Sequence, residues 1–207
     1  MQMKNKQKIV NDIVWAANRY EENLNNYHFM IIFQKNSSHH VVEIGFRDMH
    51  FKHLTGVVSS ISAQRFYQQC LAGKLSLKDF EVSRDGKTEQ KLSVLPYLHE
   101  LLYHNCMIGA FLNSGIRIRA DYFVGDTRKV LSLGFRRGSN IDYPVTLYKE
   151  DVKRLSRPVY KVLAIFKKKY NQPEYTECTF LSKNQKIKSL KIPKHIKINE
   201  QLIKNEA

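Results

Sequence analysis

Near residue 107 the hydrophobic pattern of this 207-residue chain changes period. Before it, apolar residues recur three and four apart. Over residues 5–25, Ile9, Ile13, Ala16, Ala17, Tyr20 and Leu24 form one stripe with polar residues between them, the pattern of a helix with one buried face. A second helix is expected over 62–71, capped by Ser62 and ended near Gly73. A short one is expected over 75–80. A further helical region spans 88–104, divided at Pro96, which lacks the N–H that a helix interior needs. After residue 107 come short runs rich in β-formers: 107–112, 116–124, 129–135 and 144–148, each bounded by Gly, Asn, Asp or Pro. Helices followed by antiparallel strands make an α+β chain. The expected architecture is N-terminal helices packed on a small antiparallel β-sheet, with a basic C-terminal tail.

Two segments depart from that division. The apolar run 29–33 and the alternating run 41–46 read as a hairpin within the helical half. Residues 158–166 suit a strand or a helix, because Val159, Val162 and Ile165 fit the helical spacing while the composition is β-like. The chain then divides into an N-terminal helix over 1–27, an α+β domain over 28–170, and a C-terminal strand and lysine-rich tail over 171–207. Residues 182–207 are dense in lysine and lack sustained apolar periodicity, so the tail is read as disordered or draped on the body.

Between the hairpin and the second helix lies Arg47–Ile61, RDMHFKHLTGVVSSI. His50 and His53 share a face if the segment is helical and point apart if it is extended. Gly56 permits a sharp turn or a close backbone approach. Imidazoles beside Lys52 and Thr55 are the parts that acid–base chemistry on a phosphodiester requires.

The net charge of +15 favours encounter with polyanions. The three cysteines are isolated, with no Cys-x-x-Cys pair, which fits a reducing compartment. No apolar run has the length of a signal peptide core or a membrane span, so a cytoplasmic protein without a membrane partner is expected. No P-loop, dinucleotide fingerprint, nucleophile elbow or metal-ligand spacing is present, and no metal or cofactor is expected.

The order of several motifs adds to this reading. Phe51-x-His53-Leu54-Thr55-Gly56 is followed by Ala63-x-x-Phe66-Tyr67, Gly73-Lys74-Leu75-Ser76 and Thr88-x-x-Lys91-Leu92. Then come Ile108-Gly109, the alternating Ile116-Arg117-Ile118-Arg119, Leu133-Gly134-Phe135 and Pro144-x-Thr146-Leu147. Together, over roughly residues 25–150, they resemble the phage- and mobile-element-associated branch of the BECR nucleases, the superfamily of barnase, EndoU, colicin-type tRNases and RelE. The chain also resembles inhibitors of type II CRISPR systems carried on mobile elements, some of which look like this branch and lower the amount of intact guide RNA.

The resemblance implies metal-independent RNA cleavage in a bacterial host cell, with guide RNA or tRNA as substrate and a CRISPR effector nuclease as a further partner. The alternative is a catalytically silent inhibitor, or a basic RNA- or DNA-binding protein that blocks a nucleic-acid-binding partner. In such cleavage the RNA 2′-hydroxyl attacks the adjacent phosphate. His53 is the first candidate for proton transfer, with His50 and His99 for a second acid or base. Lys91, Arg119 and Arg136 are candidates for stabilising the phosphorane. Thr146 and Thr55 are candidates for orienting a phosphate oxygen. Lys52, Arg117, Arg137 and Lys149 would hold the nucleic acid, and Tyr122 or Tyr148 would stack a splayed base.

Overall fold

A computed structural model describes residues 3–112 and 120–204. Helix α1 (Met3–Asn23) leads into the hairpin β1 (Tyr27–Lys35) and β2 (Ser38–Gly45). Helices α2 (Asp48–Thr55), α3 (Ala63–Leu71) and α4 (Lys87–Val94) follow, and a 3-10 segment, Leu95–Tyr103, continues from α4. Strands β3 (Met107–Phe111), β4 (Tyr122–Asp126), β5 (Leu131–Arg136) and β6 (Tyr143–Tyr148) form a meander. A single turn of helix, α5 (Val152–Leu155), precedes β7 (Ser156–Lys169), and β8 (Glu174–Tyr175) and β9 (Glu177–Leu181) come next. The chain ends with β10 (Lys197–Ile198) and α6 (Glu200–Lys204).

The protein is α+β, but its sheet is larger than the meander alone suggests. Among the described residues it has eight strands, in the order β2-β1-β7-β3-β4-β5-β6 with β9 on β7. The ambiguous segment is the strand that unites it. The second half of β7 pairs with β1, and its first half pairs with β3. Residues Val162–Phe166 are buried on both faces, which removes the alternation that marks a half-buried strand.

The sheet curls until its two edges meet. Gly45 donates its N–H to the Asp142 carbonyl (2.8 Å), and Asp142 donates to the Glu43 carbonyl (3.0 Å), joining the end of β2 to the lead-in of β6. Phe46 fills the space so enclosed. Fully buried, it packs edge-on against Tyr20 of α1 at 6.0 Å, Phe29 of β1 at 5.7 Å and Phe135 of β5 at 6.2 Å. Ile13, Ala17, Tyr20 and Leu24 of α1 share this core with Leu54, Phe66, Leu98 and the inner residues of the strands.

The lysine-rich tail is draped, not loose. Ile187 and Leu190 are buried with Met30, Ile32, Ala164, Phe166 and Tyr175 on the outer face of the sheet. The Tyr175 hydroxyl donates to Glu43 (2.6 Å), and β10 runs parallel to β8. Its apolar residues are too widely spaced for a periodic pattern, so the burial is invisible locally.

Other differences have local causes. The expected helix over 75–80 is a turn, because Asp79 accepts from the Ser76 N–H (2.7 Å) and hydroxyl (2.8 Å), satisfying the groups a helix would have used. Of the expected strand over 116–124, residues 116–119, with Arg117 and Arg119, lie outside the described residues.

Candidate active site

The His-Leu-Thr-Gly stretch is helical, which settles the geometry of its two histidines. In α2, Phe51, Leu54 and Thr55 turn into the core, while His50 and His53 lie one turn apart on an outer stripe. Gly56 ends the helix at φ +72°, a left-handed conformation that glycine adopts without a Cβ clash. The position has a second requirement. A Cβ there would stand 2.6 Å from Lys91 Cδ, so glycine lets the lysine arm lie across the end of α2.

That arm brings two sequence-distant motifs together. Lys91 Nζ donates to the His53 carbonyl at 3.3 Å. Thr88, one turn earlier on α4, is fully buried; its hydroxyl donates to the Gly56 carbonyl (2.7 Å) and accepts from the Ser83 N–H (3.1 Å). In sequence Thr88 carries no signal beyond its place in the Thr88-x-x-Lys91-Leu92 motif, yet it ties α4 to the end of α2. The result is a cleft of about 220 Å³ between Gly56, α4 and the end of β6, lined by Lys87, Lys91, Tyr148 and Lys149. A larger hollow of about 580 Å³, lined by Leu77, Phe80 and Glu89, shares Ser83 with the cleft.

The cleft is positively charged. Lys87 pairs with Asp85 at 2.8 Å, and this bond holds the Asp85 carboxyl well below the usual carboxylate range. Lys91 has no carboxylate partner among the described residues. Burial, then the Lys87 charge, lowers its pKa. The one sequence signal that marks Lys87 is its place four residues before Lys91, which puts both on one helix face. His53 is largely exposed, and its pKa is lowered first by the partial desolvation of its ring, then by Lys52 and Lys91.

His50 is the more constrained histidine. Its Nδ1 accepts from the Arg47 N–H at 3.2 Å, which leaves a proton for Nε2 in the neutral ring. It stacks on Tyr143 at 5.8 Å, and burial, then Arg47, lowers its pKa to about 4. His28 and His99 are lowered from 6.5 as well, by burial first. Below pH 6.5 the unfolded chain therefore takes up protons that the folded protein refuses. Stability is expected to fall as pH drops from 6.5 towards 4, and His50→Asn, which keeps an acceptor for Arg47, should flatten part of that slope. Urea midpoints measured across this range check it; equal slopes for both proteins would refute the burial of His50.

The remaining sequence candidates separate. Lys52 is occupied by the carbonyls of Ser59 (2.7 Å) and Ile61, and so holds the loop after α2 rather than a phosphate. Thr55 is fully buried, donating to the Lys52 carbonyl (2.7 Å) and accepting from the Val57 N–H (3.3 Å); it too is structural. Tyr122 is buried, stacked on Phe135 at 5.4 Å, with its hydroxyl on Asp142 at 2.8 Å, and offers no free ring face for a base. Tyr148 does line the cleft, its ring edge-on to Phe123 at 6.0 Å. Thr146 sits opposite Gly134 in the ladder and outside the cleft lining. Arg136 stands opposite Tyr143, at the His50 end of the stripe, and Arg137 lies beyond the end of β5. His99 donates from Nδ1 to the Pro96 carbonyl (2.9 Å) and is edge-on to Trp15.

A curled antiparallel sheet with helices on its inner face, and a lysine-lined cleft between the end of the histidine helix, α4 and the edge strand, make an α+β protein with a cationic site. A family model described as PBECR4, phage-Barnase-EndoU-ColicinE5/D-RelE like nuclease4, matches residues 12–184, and the chain belongs to that family. No curated protein matches the chain, and no solved structure does. Among the described residues, no helix is long and apolar enough to cross a membrane.

Proposed function

We propose that the protein is a metal-independent endoribonuclease whose site is the cleft between α2, α4 and β6. The observation that carries this reading is Lys91: a half-buried ammonium without a carboxylate partner among the described residues, held against the histidine helix by the His53 carbonyl at 3.3 Å. Such a cation is satisfied when an anion arrives. A phosphate in the cleft meets Lys87, Lys91 and Lys149 on its walls.

The reaction follows from these groups. His53 removes the proton from the RNA 2′-hydroxyl, whose oxygen attacks the adjacent phosphorus. Charge building on the phosphorane faces Lys91. The bond to the 5′-oxygen breaks, and that oxygen takes a proton from the Lys91 ammonium, whose lowered pKa makes it the better donor. The products are a 2′,3′-cyclic phosphate and a 5′-hydroxyl. No metal-bound water enters this scheme. Tyr148, on the cleft wall, is the side chain placed to stack a neighbouring base.

The test is cleavage of end-labelled guide RNA and tRNA in the presence of EDTA. Fragments ending in cyclic phosphate support the proposal. Cleavage that requires a divalent cation refutes it. Tight binding of RNA or of a CRISPR effector with no cleavage makes the protein a catalytically silent inhibitor on a nuclease fold.

A further inference from the structure

The curled sheet has a second opening that the cleft does not use. Helices fill one end of the enclosed space. At the other end a pocket of about 260 Å³ opens between the tip of the β1–β2 hairpin, β7, β3 and the end of β5. Its floor is apolar, formed by Val42, Ile108 and Ala110. Its rim is aromatic and charged. The His40 ring stacks on Phe33 at 5.7 Å with 29° between planes, and Phe33 meets Tyr160 at 5.8 Å with 34°. One pair stacked and the other tilted, the three rings adjoin along the rim. Phe33 and Tyr160 are half-buried and His40 is exposed, so part of this aromatic surface is accessible to solvent. Lys35 places its ammonium 5.7 Å from the Tyr160 centroid, and Arg137 lines the opposite side. The acid on the rim is Asp121, whose Oδ2 accepts the Arg137 N–H at 2.7 Å. Asp142, nearby, is taken up by the Tyr122 hydroxyl and the Gly138 N–H.

We infer that this pocket holds an unpaired base of a single-stranded nucleic acid, with Lys35 and Arg137 on its phosphates. Stacked rings flanked by cations suit a base joined to a phosphodiester, since every base has a π-face and every linkage a negative charge. A duplex cannot present such a base without unpairing it. The occupant is a strand rather than a free nucleotide because the pocket is open and belongs to a chain of net charge +15, a field that favours polyanions. The pocket is also distinct from the cleft. Tyr148 pairs with Ser132, and Arg137 is five residues beyond Ser132, just past the end of β5, so the two sites are separated by up to about 17 Å of chain at about 3.3 Å per residue. A strand of a few nucleotides reaches from one to the other. The inference rests on the endoribonuclease reading only for the identity of that strand as RNA.

The test is fluorescence anisotropy with a short, unstructured 2′-O-methyl oligonucleotide, which lacks the attacking hydroxyl, and with its duplex. Tyr160→Leu and His40→Ala are each expected to weaken single-strand binding by about tenfold and leave duplex binding unchanged. Lys35→Met should reduce the slope of log affinity against log salt by about one. His40 is exposed, so its variant carries the test even if Tyr160→Leu fails to fold. Wild-type affinity in both ring variants overturns the inference, as does equal loss for strand and duplex. A nucleoside monophosphate that displaces the oligonucleotide at similar concentration overturns the choice of a strand. The same variants assayed for RNA cleavage separate the two proposals. Cleavage with unchanged KM removes the base pocket alone, whereas pocket-dependent binding by a protein that cleaves no RNA removes the nuclease reading alone.

Discussion

His53→Ala is expected to lower the rate of RNA cleavage by about 10²–10⁴-fold, the usual worth of a positioned proton-transfer group. The substitution should leave the fold intact. His53 is exposed on α2, and the contact that matters to its neighbours, from Lys91, is made by its backbone carbonyl, which alanine retains. RNA binding should therefore change little while turnover collapses. The pH profile gives a second reading. A base must be unprotonated, so kcat/KM should rise with pH through a pKa below 6.5, because burial, Lys52 and Lys91 all disfavour the imidazolium. Lys91→Met removes one of those charges and should move that pKa upward while also lowering the plateau. A variant at His53 with wild-type turnover would place the chemistry elsewhere. An unmoved pKa in Lys91→Met would mean that the two groups do not sense each other.

Phe46→Ala is expected to destabilise the protein by about 3–5 kcal/mol, the range for removing a large aromatic side chain from a core. Its ring joins α1, β1 and β5 inside the curled sheet, through Tyr20, Phe29 and Phe135. Little can collapse into the void, because β1 and β5 are fixed in their ladders and the edges are pinned by the Gly45 and Asp142 hydrogen bonds. A denaturant melt followed by circular dichroism measures the loss. Less than about 1 kcal/mol would mean that the cavity is relieved by collapse, and that the edges are not held as described. The tail adds to the same frame from outside, since Ile187 and Leu190 cover Met30, Ile32 and Phe166.

What could be read along the chain was whatever depends on neighbours in sequence. The amphipathic stripe of α1, the Ser62 cap of α3, the division at Pro96 and the β1–β2 hairpin all follow from local periodicity and backbone chemistry, and the structure contains each of them. The α+β class followed from the order of those elements. Residue type and motif order brought attention to His53 and Lys91, but no sequence rule places residues 38 apart in contact. That required Gly56 to make room for the lysine arm and Thr88 to tie α4 to α2. Burial decided the other candidates. Lys52, Thr55 and Tyr122 carry the same chemical groups as true ligand-binding residues, and each is occupied by a partner that only folding supplies. Tertiary structure alone also made β7 the strand that unites the sheet and closed the edges at Asp142. Pairing across long sequence separations is set by which surfaces must leave water together, and a strand buried on both faces carries no alternation to announce it.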